Sequence, residues 1–157
     1  MQTANLQTVY LLLGSNLGNR EEILSQAITA IQENVGLIIS QSKYYETPAW
    51  GKTDQPDFLN IALEISTNLV PLMVLEKTQA IEQQLGRVRI EKWGARLIDI
   101  DIIFYGQEII YIANHLNVPH PLMQERLFVL EPIAEIAPNF IHPVLEKSVA
   151  ELLEKIR

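Results

Sequence analysis

The sequence predicts an α+β fold built on an antiparallel sheet. Apolar runs of strand length alternate with segments whose apolar residues recur at helical spacing. Their order is strand, helix, strand, strand, helix, strand, then helices, the split βαβ order of ferredoxin-like folds. The chain has 157 residues, the length of one domain, with no repeat or linker to divide it. Residues 1–157 are therefore expected to form a single domain. Helices should cover one face of the sheet and leave the active site on the opposite face, beneath loops.

Val9-Tyr-Leu-Leu-Leu13 is a short apolar run suited to a buried strand, and Gly14-Ser-Asn-Leu-Gly-Asn19 breaks it. Asn19 and Glu22 have the spacing of a capping box. The helix behind them sets Ile23, Leu24, Ala27, Ile28 and Ile31 on one side, and Gly36 ends it. Leu37 to Tyr45 reads as one strand, stopped by Thr47-Pro48. Residues 46–57 form a loop by composition, long and aromatic enough to suggest function. In the next strand Leu59, Ile61, Leu63 and Ile65 face one way and Phe58, Asn60, Ala62 and Glu64 the other. Pro71 opens a second helix and Gly86 closes it. Leu72, Leu75 and Leu85 are expected on its buried side, and Gln79 and Glu82 share a side. Gly106 turns the chain toward a short strand near Ile109, and Val118-Pro-His-Pro121 is a stiff turn. A third helix is expected over Met123 to Ile136 with a break near Pro132, and Ser148 with Glu151 caps a short last helix.

The most informative segment is Leu97-Ile-Asp-Ile-Asp-Ile-Ile-Phe104. As a strand it puts Ile98, Ile100, Ile102 and Phe104 on one face and Asp99 and Asp101 on the other, roughly 6.6 Å apart at a rise of about 3.3 Å per residue. Two carboxylates at that distance repel by about 2–3 kcal/mol at an effective dielectric of about 20, and aspartate is a poor strand former. A hard divalent cation reverses the sign of the electrostatic term. Magnesium in particular takes one or two carboxylates and completes its shell with water and phosphate oxygens. The plainer alternative is a pair of solvated acids on an open sheet face. Against it stands the preceding segment, where Arg87, Arg89, Lys92 and Arg96 outnumber Glu91 and offer a place for phosphates. No Gly-x-x-x-x-Gly-Lys-Ser/Thr motif occurs, so side chains would have to hold them.

Composition narrows the partners. The net charge is −7, which argues against a nucleic-acid-binding role, while a local basic segment on an acidic chain suits a small polyphosphate. The absence of cysteine excludes thiol catalysis and zinc–thiolate sites and suits a reducing cytoplasm. No apolar run is long enough to span a bilayer, and the first residues lack a basic leader; no membrane partner is expected. Phe58 and Asn60 share a strand face, where a flat heteroaromatic could stack on the ring and meet the amide edge-on.

These segments, in order, resemble the 6-hydroxymethyl-7,8-dihydropterin pyrophosphokinase family. The motifs that carry the resemblance are Gly14-Ser-Asn-Leu-Gly18, Tyr45-Glu-Thr-Pro48, Asp54-Gln-Pro-Asp-Phe-Leu-Asn60, Gln79-x-x-Glu82, Gly86-Arg-Val-Arg89, Trp93-Gly-x-Arg96, Asp99-Ile-Asp101 and Val118-Pro-His120 with Arg126. The resemblance implies transfer of pyrophosphate from ATP to the pterin hydroxymethyl group, with release of AMP, in folate biosynthesis. It implies two magnesium ions on Asp99 and Asp101. It implies pterin contacts at Thr47, Pro48, Trp50, Phe58, Asn60, Trp93 and Phe128, and ATP contacts at Gln79, Glu82, Arg87, Arg89, Lys92, Arg96, Ile102, His120 and Arg126. Arg87, Lys92 and Arg96 join the two aspartates as the groups acting on the transferred phosphates. A cytoplasmic monomer is expected. Two other readings compete: a magnesium-dependent nucleotidyltransferase or phosphatase on another substrate, and a nucleotide-sensing module without catalysis.

Overall fold

The computed structural model describes residues 5–48, 57–86 and 97–157. The chain runs β1 (Gln7–Ser15), α1 (Arg20–Asn34), β2 (Leu37–Gln41), β3 (Tyr45–Thr47), β4 (Phe58–Thr67), α2 (Pro71–Gly86), β5 (Asp99–Tyr105), β6 (Ile110–Ile112), β7 (Leu116–Val118), a 3₁₀ turn (Met123–Glu125), α3 (Leu127–Ile136) and α4 (Val149–Ile156). The main sheet is antiparallel in the order β2-β4-β1-β5, with β3 also paired to β4. That order is what two right-handed strand–helix–strand units give when interleaved.

α1 and α2 lie on one face. Leu24, Ala27 and Ile31 of α1 and Val74 and Ile81 of α2 pack on Val9, Leu11, Leu13, Ile61, Leu63 and Ile65. Ile98, Ile100 and Ile102 join this layer, as the strand alternation predicts. On α2 Val74, Thr78 and Ile81 are buried, and Leu75 and Leu85 pack partly buried against the core as expected, while Leu72 is 49% exposed and lies off that side. Asn19 caps α1 by accepting the Glu22 N–H, and Ser148 and Glu151 complete a reciprocal capping box on α4.

The second face is not left to loops alone. α3 and α4 cover one half of it, burying Tyr10, Leu12, Ala62, Phe104, Val129, Leu130, Ile133, Leu152 and Leu153 together. Phe104 belongs to this layer and not to the helix-covered one anticipated for it. The cause is a β-bulge: Tyr10 pairs with Phe104 but Leu11 with Ile102, so Ile103 is an extra residue and the side-chain alternation flips after it.

The segment read as one strand from Leu37 to Tyr45 is two, β2 and β3, placed end to end along one edge of β4. Ser42 bridges the gap: its N–H donates to the Ala62 carbonyl, and its hydroxyl accepts the Ala62 N–H, both at 2.9 Å. The expected third helix is likewise two pieces. Its break falls at Arg126, whose extended backbone (φ −125°, ψ 111°) separates the 3₁₀ turn from α3. Pro132 lies inside α3 without ending it. The turn at Gly106 has a positive φ of 53°, followed by the small β6–β7 hairpin.

Candidate active site

Along β1 the side chains on the second face shrink from Tyr10 to Leu12 to Gly14. Gly14 is paired on one side with Asn60 and on the other with Asp99; Leu12 is paired with Ala62 and Asp101. The sheet therefore has a floor with no side chain at its centre, between an amide and a carboxylate. A Cβ on residue 14 would stand 2.7 Å from Asn60 Oδ1, so glycine is required for this packing. Around the floor is a cavity of about 360 Å³ lined by Leu12, Gly14, Thr47, Pro48, Phe58, Asn60, Asp99, Asp101, Arg126 and Phe128.

One wall is made by β3 and β4. Asn60 is buried, and its Nδ2 donates to Thr47 Oγ1 at 2.9 Å, which fixes which way the amide points. Thr47 is paired with Phe58, so both lie on the cavity face. β3 is tied to α3 by Glu135, whose carboxylate accepts the Tyr45 hydroxyl at 2.7 Å and the Lys43 N–H at 3.2 Å. Burial, reinforced by that carboxylate, pushes the Tyr45 phenol up to about 12, so it stays a donor.

The opposite wall carries the charge. Asp99 and Asp101 project from β5, the edge strand, into the cavity. Between them the N–H of Ile100 donates to the Glu82 carboxylate of α2 at 2.6 Å. This bond anchors the backbone from the helix side and satisfies an edge amide. Arg126 enters from the start of α3 with its guanidinium carbon 5.7 Å from the Phe128 ring centre. His120 is close enough to Arg126 and Asp99 to feel both charges. Burial, then Arg126, lowers its pKa, and Asp99 partly offsets this. The His120 Nδ1 is buried and has no hydrogen-bond partner among the described residues.

The fold thus brings Thr47, Pro48, Phe58, Asn60, Asp99, Asp101, Arg126 and Phe128 around one cavity. It does not bring Ile102 there, whose side chain lies in the helix-side core. Gln79 and Glu82 stand on α2, away from the lining, with Gln79 exposed and Glu82 bound to the β5 backbone. Trp50, Arg87, Arg89, Lys92, Trp93 and Arg96 lie outside the described residues. Leu12 and Gly14 line the cavity without having been singled out as site residues. The available signal was a glycine at the end of an apolar strand run, a mark of close approach by something else.

Comparison with known proteins gives a consistent result. The family model described as 7,8-dihydro-6-hydroxymethylpterin-pyrophosphokinase (HPPK) matches residues 10–138. A Bacillus subtilis (strain 168) protein named 2-amino-4-hydroxy-6-hydroxymethyldihydropteridine pyrophosphokinase is 48% identical over 128 residues, covering 81% of this chain and 76% of that one. A protein of the same name from Aquifex aeolicus (strain VF5) is 42% identical over 146 residues, covering 93% of this chain and 90% of that one. Among solved structures, wild-type Plasmodium falciparum HPPK-DHPS matches with a TM-score of 0.83 at 18% identity. That match covers 99% of this chain but only 45% of the solved one, and it bears on the fold. With the family model spanning most of its length and relatives above 40% identity matched over four fifths or more of it, the chain belongs to the 7,8-dihydro-6-hydroxymethylpterin-pyrophosphokinase family.

Proposed function

We propose that this chain transfers pyrophosphate from ATP to 6-hydroxymethyl-7,8-dihydropterin, giving the pterin diphosphate and AMP in folate biosynthesis, and that the cavity on the second sheet face is where the two substrates meet. The observation that supports the location is the joining of two unlike walls in one space: an aromatic ring and an oriented amide on one side, two carboxylates and an arginine on the other.

Phe58 supplies a stacking face for the pterin, and Asn60, held by Thr47, offers one donor and one acceptor to its edge. Pro48 and Phe128 bound the same pocket, with Trp50 and Trp93 as further contacts. Asp99 and Asp101 fit a hard divalent cation: oxygen donors on one strand face, needing phosphate oxygens to complete a shell. They would hold magnesium, two ions in this reading, which when bound neutralises triphosphate charge and aligns the reacting oxygens. Arg126 and His120 face the phosphates, joined by Arg87, Arg89, Lys92 and Arg96. The arginines and Lys92 stabilise the charge that builds on the departing AMP. The hydroxymethyl oxygen attacks the β-phosphorus, the bond from that phosphorus to the α,β-bridging oxygen breaks, and the hydroxyl proton passes to Asp99, Asp101 or solvent. Gln79 contacts the nucleotide from α2. Glu82 acts through the Ile100 amide, and Ile102 would act through its backbone. The chain works as a single-domain cytoplasmic monomer. Its net charge of −7 argues against a nucleic-acid partner, and no helix among the described residues is long and apolar enough to cross a membrane.

Incubation with ATP, magnesium and 6-hydroxymethyl-7,8-dihydropterin, followed by mass analysis, tests the reaction. Equal amounts of AMP and pterin diphosphate are expected. ADP, or free phosphate without a diphosphorylated acceptor, would reject it in favour of another phosphoryl transfer.

A further inference from the structure

Arg20 is the first residue of α1 and lies on the side of the sheet away from the cavity. Its Nη1 sits 2.8 Å from Glu46 Oε2 and donates to the main-chain carbonyl of Asp57, also at 2.8 Å. One acceptor lies in β3 and the other immediately before β4. Glu46 is the middle residue of β3, between Tyr45 and Thr47; Asp57 directly precedes Phe58, the first residue of β4. Glu46 is paired with Leu59, a residue of the helix-side core, whereas the flanking pairs Tyr45 with Asn60 and Thr47 with Phe58 face the cavity. One guanidinium thus joins the ends of two strands from behind, one residue away from the side chains that form the wall in front.

β3 has only three residues and sits on an edge, so its own ladder fixes it weakly. A planar fork with several donors suits the task, because one head must reach a carboxylate and a carbonyl together. A partly exposed ion pair adds little to global stability. Its effect here is therefore local: it sets the spacing of Thr47 and Phe58, and through Thr47 Oγ1 the orientation of the Asn60 amide.

We propose that Arg20 is a positioning residue for the pterin wall, selective for that substrate and touching neither. This rests on the reading of the Phe58–Asn60 wall as the pterin subsite. Calorimetry on the full chain tests it, titrating 6-hydroxymethyl-7,8-dihydropterin in the presence of α,β-methylene-ATP and, separately, the analogue alone. Arg20→Ala should weaken pterin binding about tenfold, within the range that a displaced contact causes, and leave analogue affinity within about twofold. KM for the pterin should rise with little change in kcat. Arg20→Lys should recover part of the loss, and adding Glu46→Gln to Arg20→Ala should cost little more. Asn60→Ala serves as the reference for the subsite. If Asn60→Ala loses pterin affinity selectively while Arg20→Ala stays within twofold of the parent, the role of Arg20 is rejected and the subsite stands. If neither variant loses pterin affinity, the subsite and the role of Arg20 fall together. Equal losses for both ligands in Arg20→Ala, or a collapse of its thermal transition, would show a general structural role and overturn the proposal.

Discussion

The two halves of the second sheet face are built from the same strands and serve opposite ends. At one end Tyr10, Phe104 and Phe140 form an aromatic cluster, with the Phe104 and Phe140 ring centres 4.4 Å apart, sealed by α3 and α4. At the other, the same strands present Gly14, Asn60, Asp99 and Asp101 around open space. β1 and β4 run from one half to the other in unbroken register, and only β5 shifts, by its bulge at Ile103. A few residues' travel along β1, β4 and β5 exchanges large apolar groups for a glycine, an amide and two acids. The cavity is thus a matter of side-chain content within a continuous sheet, and the closed half gives the open half a rigid base.

Substitutions at the two ends should therefore fail in different currencies. The largest effect is expected at the closed end. Phe104→Ala removes a fully buried ring and should cost about 3–5 kcal/mol of stability by denaturant titration, while the KM values of the folded fraction stay near the parent's. A large change in KM with unchanged stability would erase the distinction. At the open end Asp99→Asn or Asp101→Asn should lower kcat/KM by on the order of 100-fold and barely move the melting temperature. Activity within threefold of the parent in either variant would remove the aspartates from the chemistry.

Gly14→Ala tests the boundary between the halves. Its Cβ would press on Asn60 Oδ1 at 2.7 Å. The strain should appear as weaker pterin binding, by about 1–3 kcal/mol, with ATP affinity little changed; equal losses for both ligands would place the damage elsewhere. The smallest effect concerns acid. His142 stands edge-on to Phe104 at the closed end, and its Nδ1 accepts the N–H groups of Val144 and Leu145 at 3.1 Å. His120 belongs to the open end. Burial lowers both pKa values in the folded state. The unfolded chain then binds more protons below its own histidine pKa of about 6.5. Stability is full above that pH and falls as the pH drops through it toward the lowered folded values. Melting curves between pH 8 and pH 5 should show the decline, and His142→Gln should flatten part of it. A melting temperature independent of pH across that window would contradict the assignment.

Much of the fold was legible because it is written in short-range pattern. The apolar run at Val9–Leu13, the alternation from Phe58 to Ile65 and the caps at Asn19 and Ser148 are each contained within a few residues. What escaped depends on partners distant in sequence. Nothing in Ile102-Ile-Phe104 announces a bulge, because it arises from how β5 meets β1. The division of β2 from β3 follows from Ser42 meeting Ala62, twenty residues on. The same contrast holds for the candidate site. Asp99 and Asp101 stand out against their apolar flanks, and Phe58 and Asn60 share a face by simple alternation. That Gly14 lies between Asn60 and Asp99 is visible only in the register of three strands. Thr47, Pro48, Arg126 and Phe128 were marked by family resemblance, since their meeting depends on how α3 docks beside β3.

The extra residue in β5 works as a phase shifter. Before Ile103, even-numbered side chains belong to the helix layer and odd-numbered ones to the cavity; after it, Phe104 turns to the aromatic cluster and Tyr105 to the helix layer. One strand therefore carries two messages in opposite phase, separated by a single residue. Deleting Ile103 would remove the bulge yet leave Phe104 and Tyr105 in their present layers by plain alternation, whereas inserting a residue between Asp99 and Ile102 would turn an aspartate into the core. The sequence on either side of the shift can drift for its own purpose, provided that a residue gained or lost between the acids and the aromatic is taken up at the bulge.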